Sequence, residues 1–326
     1  MYILRSTTSN PAFNLATEEF LMNHPSDNWF YLYINAPSII VGKHQNSLAE
    51  INVEYVKENN VIVIRRTTGG GAVFHDPGNL NFTFIMKEKQ DETADFRKYT
   101  QPIVDVLQAM DVNAKFEGRN DMTIEGKKFS GNAKAYYNNK ILQHGTLLFD
   151  STLPNLSQAL KLNPLKYRDK AVKSISSRVT NITEHLKQDI TLQEFEKRIV
   201  DHVRTLYADA EEYKLTEEDI AAINKLVDEK YGTWDWNFGY SPKYNFQKGI
   251  RSSGGHVEIN LEVRKGKIKD VKIFGDFFHT HEVSELEEML RDAPHEREQI
   301  NKLLSSVDIG KYLNNVTVEE FLEGMF

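Results

Sequence analysis

Over the first two thirds of the chain, short apolar runs of strand length alternate with stretches in which apolar residues recur every third or fourth position. That is the pattern of a mixed α and β layer structure. Asn14–Met22 carries the helical period, whereas Trp29–Ile34 and Ser38–Val41 read as strands. Val53–Glu58 predicts a short helix and Val61–Arg65 a buried strand. In Asn81–Met86 the residues Phe82, Phe84 and Met86 fall on one side, which predicts a half-buried strand. Phe96–Met110 places Ile103, Val104, Val106 and Leu107 at helical spacing, with Pro102 positioned to open the helix proper.

Turn signals then divide the chain. Glu125-Gly126 predicts a hairpin between Met122–Ile124 and Lys127–Phe129, and Asn138-Asn139 one between Ala133–Tyr137 and Lys140–Leu148. Helical periods return at Leu192–Tyr207 and Glu217–Tyr231, followed by the aromatic stretch Trp234–Phe238, read as a packing element that joins two domains. The boundary is placed after it, giving a larger domain over 1–243 and a smaller one over 244–326. The second contains a hairpin, His256–Val263 and Lys267–Phe274 around Lys265-Gly266, and a charged helix at Val283–Leu290. It reads as a small α+β unit with its own core.

Composition narrows the function classes. With 326 residues, 40% hydrophobic content, 18 Gly and 9 Pro, the chain is long enough for more than one core and too apolar for a disordered or fibrous protein. A formal net charge of -7 argues against non-specific nucleic-acid binding. The absence of cysteine excludes disulfides, thiolate metal sites and any mechanism through a cysteinyl thioester. No segment has the length and apolarity of a membrane span, and the start of the sequence lacks a signal-peptide pattern, so a cytoplasmic location is expected. Oligomeric state is left open, with a monomer as the working expectation.

The sharpest chemical feature is Arg65-Arg66-Thr67-Thr68-Gly69-Gly70-Gly71-Ala72-Val73-Phe74-His75-Asp76, directly after an apolar strand. Three successive glycines mark a place where backbone approaches something closely or takes positive φ, and paired arginines add fixed positive charge. An anion such as a phosphate fits this pattern; a glycine-rich turn beside a surface arginine pair is the alternative. It is neither a Walker loop nor a dinucleotide fingerprint. The second feature is Gly118-Arg119-Asn120-Asp121, then Lys127-Lys128-Phe129-Ser130-Gly131-Asn132-Ala133 and His144-Gly145-Thr146. Strand alternation places Lys128 and Ser130 on one side and Lys127 and Phe129 on the other. A lysine beside a glycine loop can hold a carboxylate against the phosphate it attacks.

Taken together, these motifs resemble the lipoate-protein ligase A family. Phe13–Glu19, Val41–Asn46, Ser176–Asn181 and Trp234–Gly239 also look like that family, in the same order, so the resemblance spans nearly the whole chain. It implies an α+β fold of the class II aminoacyl-tRNA synthetase and biotin ligase type, a mixed sheet flanked by helices, with a small α+β accessory C-terminal domain. The implied activity is adenylation of free lipoate by ATP with release of pyrophosphate. Transfer follows to a lysine of lipoyl domains in 2-oxoacid dehydrogenase acyltransferase subunits and in glycine cleavage H protein. Neither nucleic acid nor membrane is an expected partner.

Carried over by position, Lys128 binds the lipoate carboxylate and the α-phosphate, and Arg66, Gly71, Ala72, Val73 and Phe74 contact the adenylate. Arg65, Gly70 and His75 line the lipoate side. Asn120 and Asp121 lie near the nucleotide, with Asp121 as the magnesium ligand. Leu15, Val73 and Phe74 are candidate walls for the acyl chain, and Ser176–Asn181 belongs to a loop over the adenylate. Alternatives of other kinds are an ATP-independent lipoyl amidotransferase, a biotin ligase and a non-catalytic lipoate or lipoyl-domain binding protein. His279-Thr280-His281-Glu282 is expected to be a solvated turn, Glu211-Glu212 and Glu285–Glu288 solvated helix faces, and the basic stretch Lys161–Lys173 a docking surface.

Overall fold

The computed structural model describes residues 1–25, 28–45, 47–88, 95–137, 139–153, 159–160, 179–238, 246–264 and 266–326. Its strands in chain order begin with β1 (Tyr2–Arg5), β2 (Trp29–Ile34), β3 (Ser38–Val41), β4 (Ile62–Arg65), β5 (Val73–His75) and β6 (Asn79–Lys87). They continue with β7 (Ala114–Glu117), β8 (Asp121–Ile124), β9 (Lys127–Tyr137), β10 (Lys140–Leu148) and β11 (Glu211–Tyr213). An eight-stranded sheet runs in the order β11-β1-β2-β6-β10-β9-β8-β7, and a smaller three-stranded sheet in the order β4-β3-β5. The large sheet is mixed. β1 is parallel to both β2 and β11, while β6 to β10 pair antiparallel. Parallel neighbours need a crossover, and the helix Pro11–Asn23 supplies it between β1 and β2.

The continuous apolar run of β2 is explained by burial on both faces. Phe30 and Leu32 join Phe82, Phe84 and Leu80 of β6 in the main core. Helix Arg97–Ala109 closes that core with Tyr99, Ile103 and Leu107, and helix Leu192–Leu206 with Phe195, Ile199 and Val203. Trp29, Tyr31 and Tyr33 face the other way, toward Leu21 and Met22 of helix Pro11–Asn23. β6 is therefore not the half-buried strand that its alternation predicts: its polar Asn79, Asn81 and Thr83 are buried too. Pro102 also differs from expectation, since the helix already starts at Arg97, five residues before it.

The C-terminal region is a three-stranded antiparallel meander, β12 (Phe246–Ser252), β13 (Gly255–Arg264) and β14 (Lys267–Gly275), with β13 in the middle. Helices Val283–Leu290 and Val318–Met325 pack on it through Leu286, Leu290, Phe321 and Leu322, against Val257, Ile259, Leu261 and Val271. The acidic runs meet the expectation of solvated helix faces only in part: Glu285 and Glu288 are exposed on a helix. Glu211 and Glu212 sit on strand β11, and Glu287 is buried, accepting from Lys272 at 2.6 Å and the Ile273 N–H at 3.0 Å.

Phe84 is fully buried, with the rings of Phe30 and Tyr99 centred 4.7 and 5.3 Å away. Phe84→Ala is expected to cost about 3–5 kcal/mol of unfolding free energy, read as a lowered midpoint in urea denaturation.

Candidate functional site

A cleft with about 600 Å³ of empty space opens on the face of the large sheet that also carries helix Pro11–Asn23. Cross-strand register puts its floor together. Tyr33 pairs with Asn81, Asn81 with Thr146, and His144 with Ala133, so residues from β2, β6, β10 and β9 look the same way. Leu15, Ile40, Ala72 and Val73 supply apolar wall; Gly70, Gly71, His75, Asn120 and two cations, Arg66 and Lys128, also line it. Asn81 and the adjacent Thr83 of β6, polar in sequence, face this cleft and its supporting network rather than solvent.

The glycine loop closes over the cleft and is fastened from behind. Gly70 has φ +92°, a left-handed conformation open to glycine. Arg66 is buried, and its guanidinium donates to Thr68 Oγ1 (2.9 Å) and to the carbonyls of Ile40 (3.1 Å), Gly69 (2.7 Å) and Gly71 (2.8 Å). Four of its five N–H groups are thus committed, three within the loop and one to β3. Burial pulls Arg66 down to about 10, opposed by Tyr33 and Glu18. Thr68 Oγ1 lies 2.8 Å from Nε2 of His144, whose Nδ1 is 2.9 Å from both carboxylate oxygens of Glu18. Glu18 also accepts from Thr83 (2.6 Å) and Tyr33 (3.2 Å), and burial followed by the Glu18 charge drives the Tyr33 phenol well above its ordinary range.

Arg65 does not line the cleft. Neighbouring residues of a strand face opposite ways, and Arg65 turns its guanidinium to the far side. There it donates to the carbonyls of Gly42 (3.0 Å), Lys43 (3.0 Å), Gln45 (2.6 Å) and Trp236 (2.9 Å) and to Ser47 Oγ (2.8 Å). Trp236 returns its indole N–H to the Arg65 carbonyl at 2.8 Å, and Asn237 Oδ1 accepts from the Arg65 N–H at 2.8 Å. The aromatic stretch is thereby a clamp on β4. Phe74 also leaves the cleft, because β5 alternates: Val73 and His75 face it, while Phe74 packs with Ile39, Val41 and Ile51.

The lysine pair separates, though not through simple alternation. Met122 pairs with Ser130 and Thr123 with Lys128, so Phe129 is the extra residue of a bulge. Phe129 and Ser130 are both buried, Lys127 is exposed, and Lys128 reaches the cleft, 2.7 Å from Asp121 Oδ1. Ser130 is thus not a second cleft residue. Gly131 keeps the space that Lys128 uses, since a Cβ there would come within 2.8 Å of Nζ. Asn120 donates to the Asn132 carbonyl at 2.5 Å and accepts from the Asn132 N–H at 2.9 Å, which fixes the loop before β8. Asp121 stands beside this lining rather than in it.

His75 is buried, with Nδ1 3.0 Å from Asn35 Nδ2 and no partner for Nε2 among the described residues. Burial, then Arg66, then His144 hold it down to about 3, so it is neutral at physiological pH. Among these residues, Glu18, Tyr33, Asn35 and Asn81 carry no sequence signal for the site beyond Glu18 lying in the Phe13–Glu19 segment.

The C-terminal region touches both loops. The Gly70 N–H donates to the Phe277 carbonyl at 3.3 Å. Arg119 donates to the carbonyls of Gly254 and Asp276, with its guanidinium 4.7 Å from the Phe278 ring centre. Lys43 pairs with Glu282 at 2.7 Å. His279 is buried against His44, with ring centres 4.4 Å apart, instead of lying in a solvated turn. Lys161–Lys173 and residues 176–178 lie outside the described residues; Val179, beside them, forms a parallel bridge to Lys128.

Replacing Arg65 with Met would leave a set of buried carbonyls without their donor. Arg65→Met is expected to lose about 3 kcal/mol or more of stability in denaturant titration.

Residues 10–204 match the family model of the lipoyl protein ligase A/B catalytic domain, and residues 241–325 that of the bacterial lipoate protein ligase C-terminus. Lipoate-protein ligase LplJ of Bacillus subtilis is 43% identical over 99% of both chains. Lipoate–protein ligase 1 of Staphylococcus aureus is likewise 43% identical over 99% of both. Among solved structures, P. falciparum LipL1 in complex with lipoate is 26% identical over 99% of this chain and 97% of its own, with a TM-score of 0.80. A lipoate-protein ligase A bound with ATP is 27% identical over 74% of this chain and 98% of its own, with a TM-score of 0.64. With its fold, its glycine loop and its cleft lysine, the chain belongs to the lipoate-protein ligase family.

Proposed function

We propose that this chain is an ATP-dependent lipoate-protein ligase and that the cleft carries out both of its half-reactions. In the first, a lipoate carboxylate oxygen bonds to the α-phosphorus of ATP as the bond to pyrophosphate breaks, giving lipoyl-AMP. In the second, the amine of an acceptor lysine attacks the acyl carbon, the amide forms with loss of a proton, and AMP departs. The observation that supports this most directly is a partly exposed cation, Lys128, in the same cleft as an apolar trough of Leu15, Ile40 and Val73. An amphiphilic acid fits such a site, with its chain in the trough and its carboxylate at the ammonium.

Two anions must meet in the adenylation step, and each repels the other. Lys128 is the group placed to lower that repulsion, a point charge free to contact carboxylate and phosphate together. Gly71, Ala72 and Val73 would carry the nucleotide side of the adenylate, with Arg66 contributing its one uncommitted N–H. Gly70 and His75 would flank the acyl chain. No protein nucleophile is needed, in keeping with the lack of cysteine.

Magnesium fits as a companion of the ATP phosphates at a single carboxylate, Asp121, which lies against Lys128 and beside Asn120. The ion would supply charge neutralisation for the departing pyrophosphate. A Thermoplasma acidophilum ligase is known together with its E2 lipoyl domain, and it is 30% identical over 75% of this chain. By that likeness the acceptors proposed here are lipoyl domains of 2-oxoacid dehydrogenase acyltransferases and glycine cleavage H protein, met in the cytoplasm.

The test is the intact mass of an apo lipoyl domain after incubation with the protein and lipoate, with and without magnesium-ATP. Modification that requires ATP is expected; modification without ATP, from a lipoylated donor alone, would contradict the ligase reading. Lys128 is partly exposed, so Lys128→Ala should change stability by less than about 0.5 kcal/mol. Its lipoate-dependent exchange of pyrophosphate into ATP should fall by about a hundredfold or more.

A further inference from the structure

The orientation of one buried amide settles the protonation of a histidine in the cleft. Asn14 places its Nδ2 3.1 Å from the Thr8 carbonyl and 3.3 Å from the Ile34 carbonyl. Carbonyls only accept, so the nitrogen end of the Asn14 amide must lie there. Its Oδ1 in turn takes the hydroxyls of Ser6 (2.6 Å) and Tyr31 (3.0 Å). The same Nδ2 lies 2.8 Å from Asn35, which must therefore present Oδ1 to it and Nδ2 to His75. His75 Nδ1 is then an acceptor and the ring proton sits on Nε2.

That Nε2–H has no partner among the described residues, belongs to a side chain that is 3% exposed, and lines the cleft. A donor left unpaired in a buried site costs free energy unless a ligand takes it. Asn35 directly follows β2 while Lys128 is on β9, with β6 and β10 between them. At the usual strand spacing this separates the two backbones by about 14 Å. That span is of the order of a medium-chain acyl group, and both His75 and Lys128 line the cleft. With the carboxylate at Lys128, the far end of the acid would then approach His75.

We propose that His75, locked by Asn35 as a neutral Nε2–H donor, hydrogen-bonds a sulfur of the dithiolane ring and thereby selects lipoate over octanoate. The inference rests on the ligase reading and adds to it the group that tells a sulfur-bearing acid from a plain one. Octanoate has only methylene and methyl groups to offer there, so its binding leaves the buried N–H unpaired. Asn35 is a positioning residue: it touches no substrate and acts through the tautomer it imposes.

The experiment compares kcat/KM for lipoate and octanoate in pyrophosphate exchange, using wild type, His75→Phe and Asn35→Leu. Nitrogen-15 spectra of the histidines in the wild type accompany it. In both variants the lipoate-to-octanoate ratio is expected to fall about five- to tenfold, the worth of one net hydrogen bond, with KM for ATP unchanged. The wild-type spectrum should show His75 with its proton on Nε2, and that resonance should move with lipoate and not with octanoate. An unchanged ratio in folded His75→Phe, a wild type without preference, or an Nδ1–H tautomer in the wild type would each overturn the proposal. The spectra need no folded variant. Exchange with neither acid would remove the ligase reading itself, and this inference with it, whereas exchange with both at an unaltered ratio removes only the inference.

Discussion

A glycine loop folded back over a buried cleft leaves carbonyl oxygens with neither water nor a strand partner, and this site depends on how that debt is met. Two consecutive arginines at the end of β4 turn opposite ways, Arg66 to this loop and Arg65 to the segment beside it. Arg66 takes the carbonyls of Ile40, Gly69 and Gly71, while Arg65 takes those of Gly42, Lys43, Gln45 and Trp236. Guanidinium suits this task because it offers several donors in a fixed plane and stays charged even when burial pulls it down. Burying a cation needs a counter-charge, and Arg66 has one in Glu18, joined to it through Thr68 and His144. The cleft thus rests on a hydrogen-bond network whose members Arg66, Tyr33 and His144 also form part of its lining.

Much of this architecture was legible in the chain, and what was hidden was hidden for physical reasons. β2, β3 and helix Val53–Glu58 fall at their predicted bounds, because each is a local pattern of apolar or helix-forming residues. β1, β5, β7 and β11 are strands of three or four residues, too short for a period to register. Asn81 and Thr83 look in sequence like a solvent-facing row, yet they face the site. Alternation distinguishes two sides of a strand, but it does not say which side is water.

The same limit governs individual residues. Arg65 and Arg66 are indistinguishable by type, and their separation into clamp and loop support depends on which way β4 faces. Phe74 and His75 are parted by the same rule. The bulge at Phe129 breaks the alternation on which the reading of Ser130 depended, while leaving Lys128 in the cleft. Glu18 and Asn35 act over separations of 126 and 40 residues from their histidine partners, a distance at which one sequence gives no hint of contact. The accessory unit adds a further non-local constraint. It holds the Gly70 N–H and the Arg119 guanidinium, so both loops that flank the cleft are anchored in a second core.

Charge is distributed unevenly along the cleft, and on the proposed reading this favours one direction of binding for an acid. At its inner end the imidazole of His75 is neutral, and Arg66, although cationic, has four donors committed to its own loop and β3. At the other end Lys128 is partly exposed and its only described ion pair is with Asp121, itself partly exposed. A carboxylate entering head first would be stripped of water, a cost of several kcal/mol, and set beside a neutral ring and a guanidinium already bonded to its own backbone carbonyls. Entering tail first, it buries apolar chain against Leu15, Ile40 and Val73 and keeps its charge at the ammonium, where the α-phosphate must also arrive. On the proposed reading, the direction of binding follows from which of the buried groups can still donate.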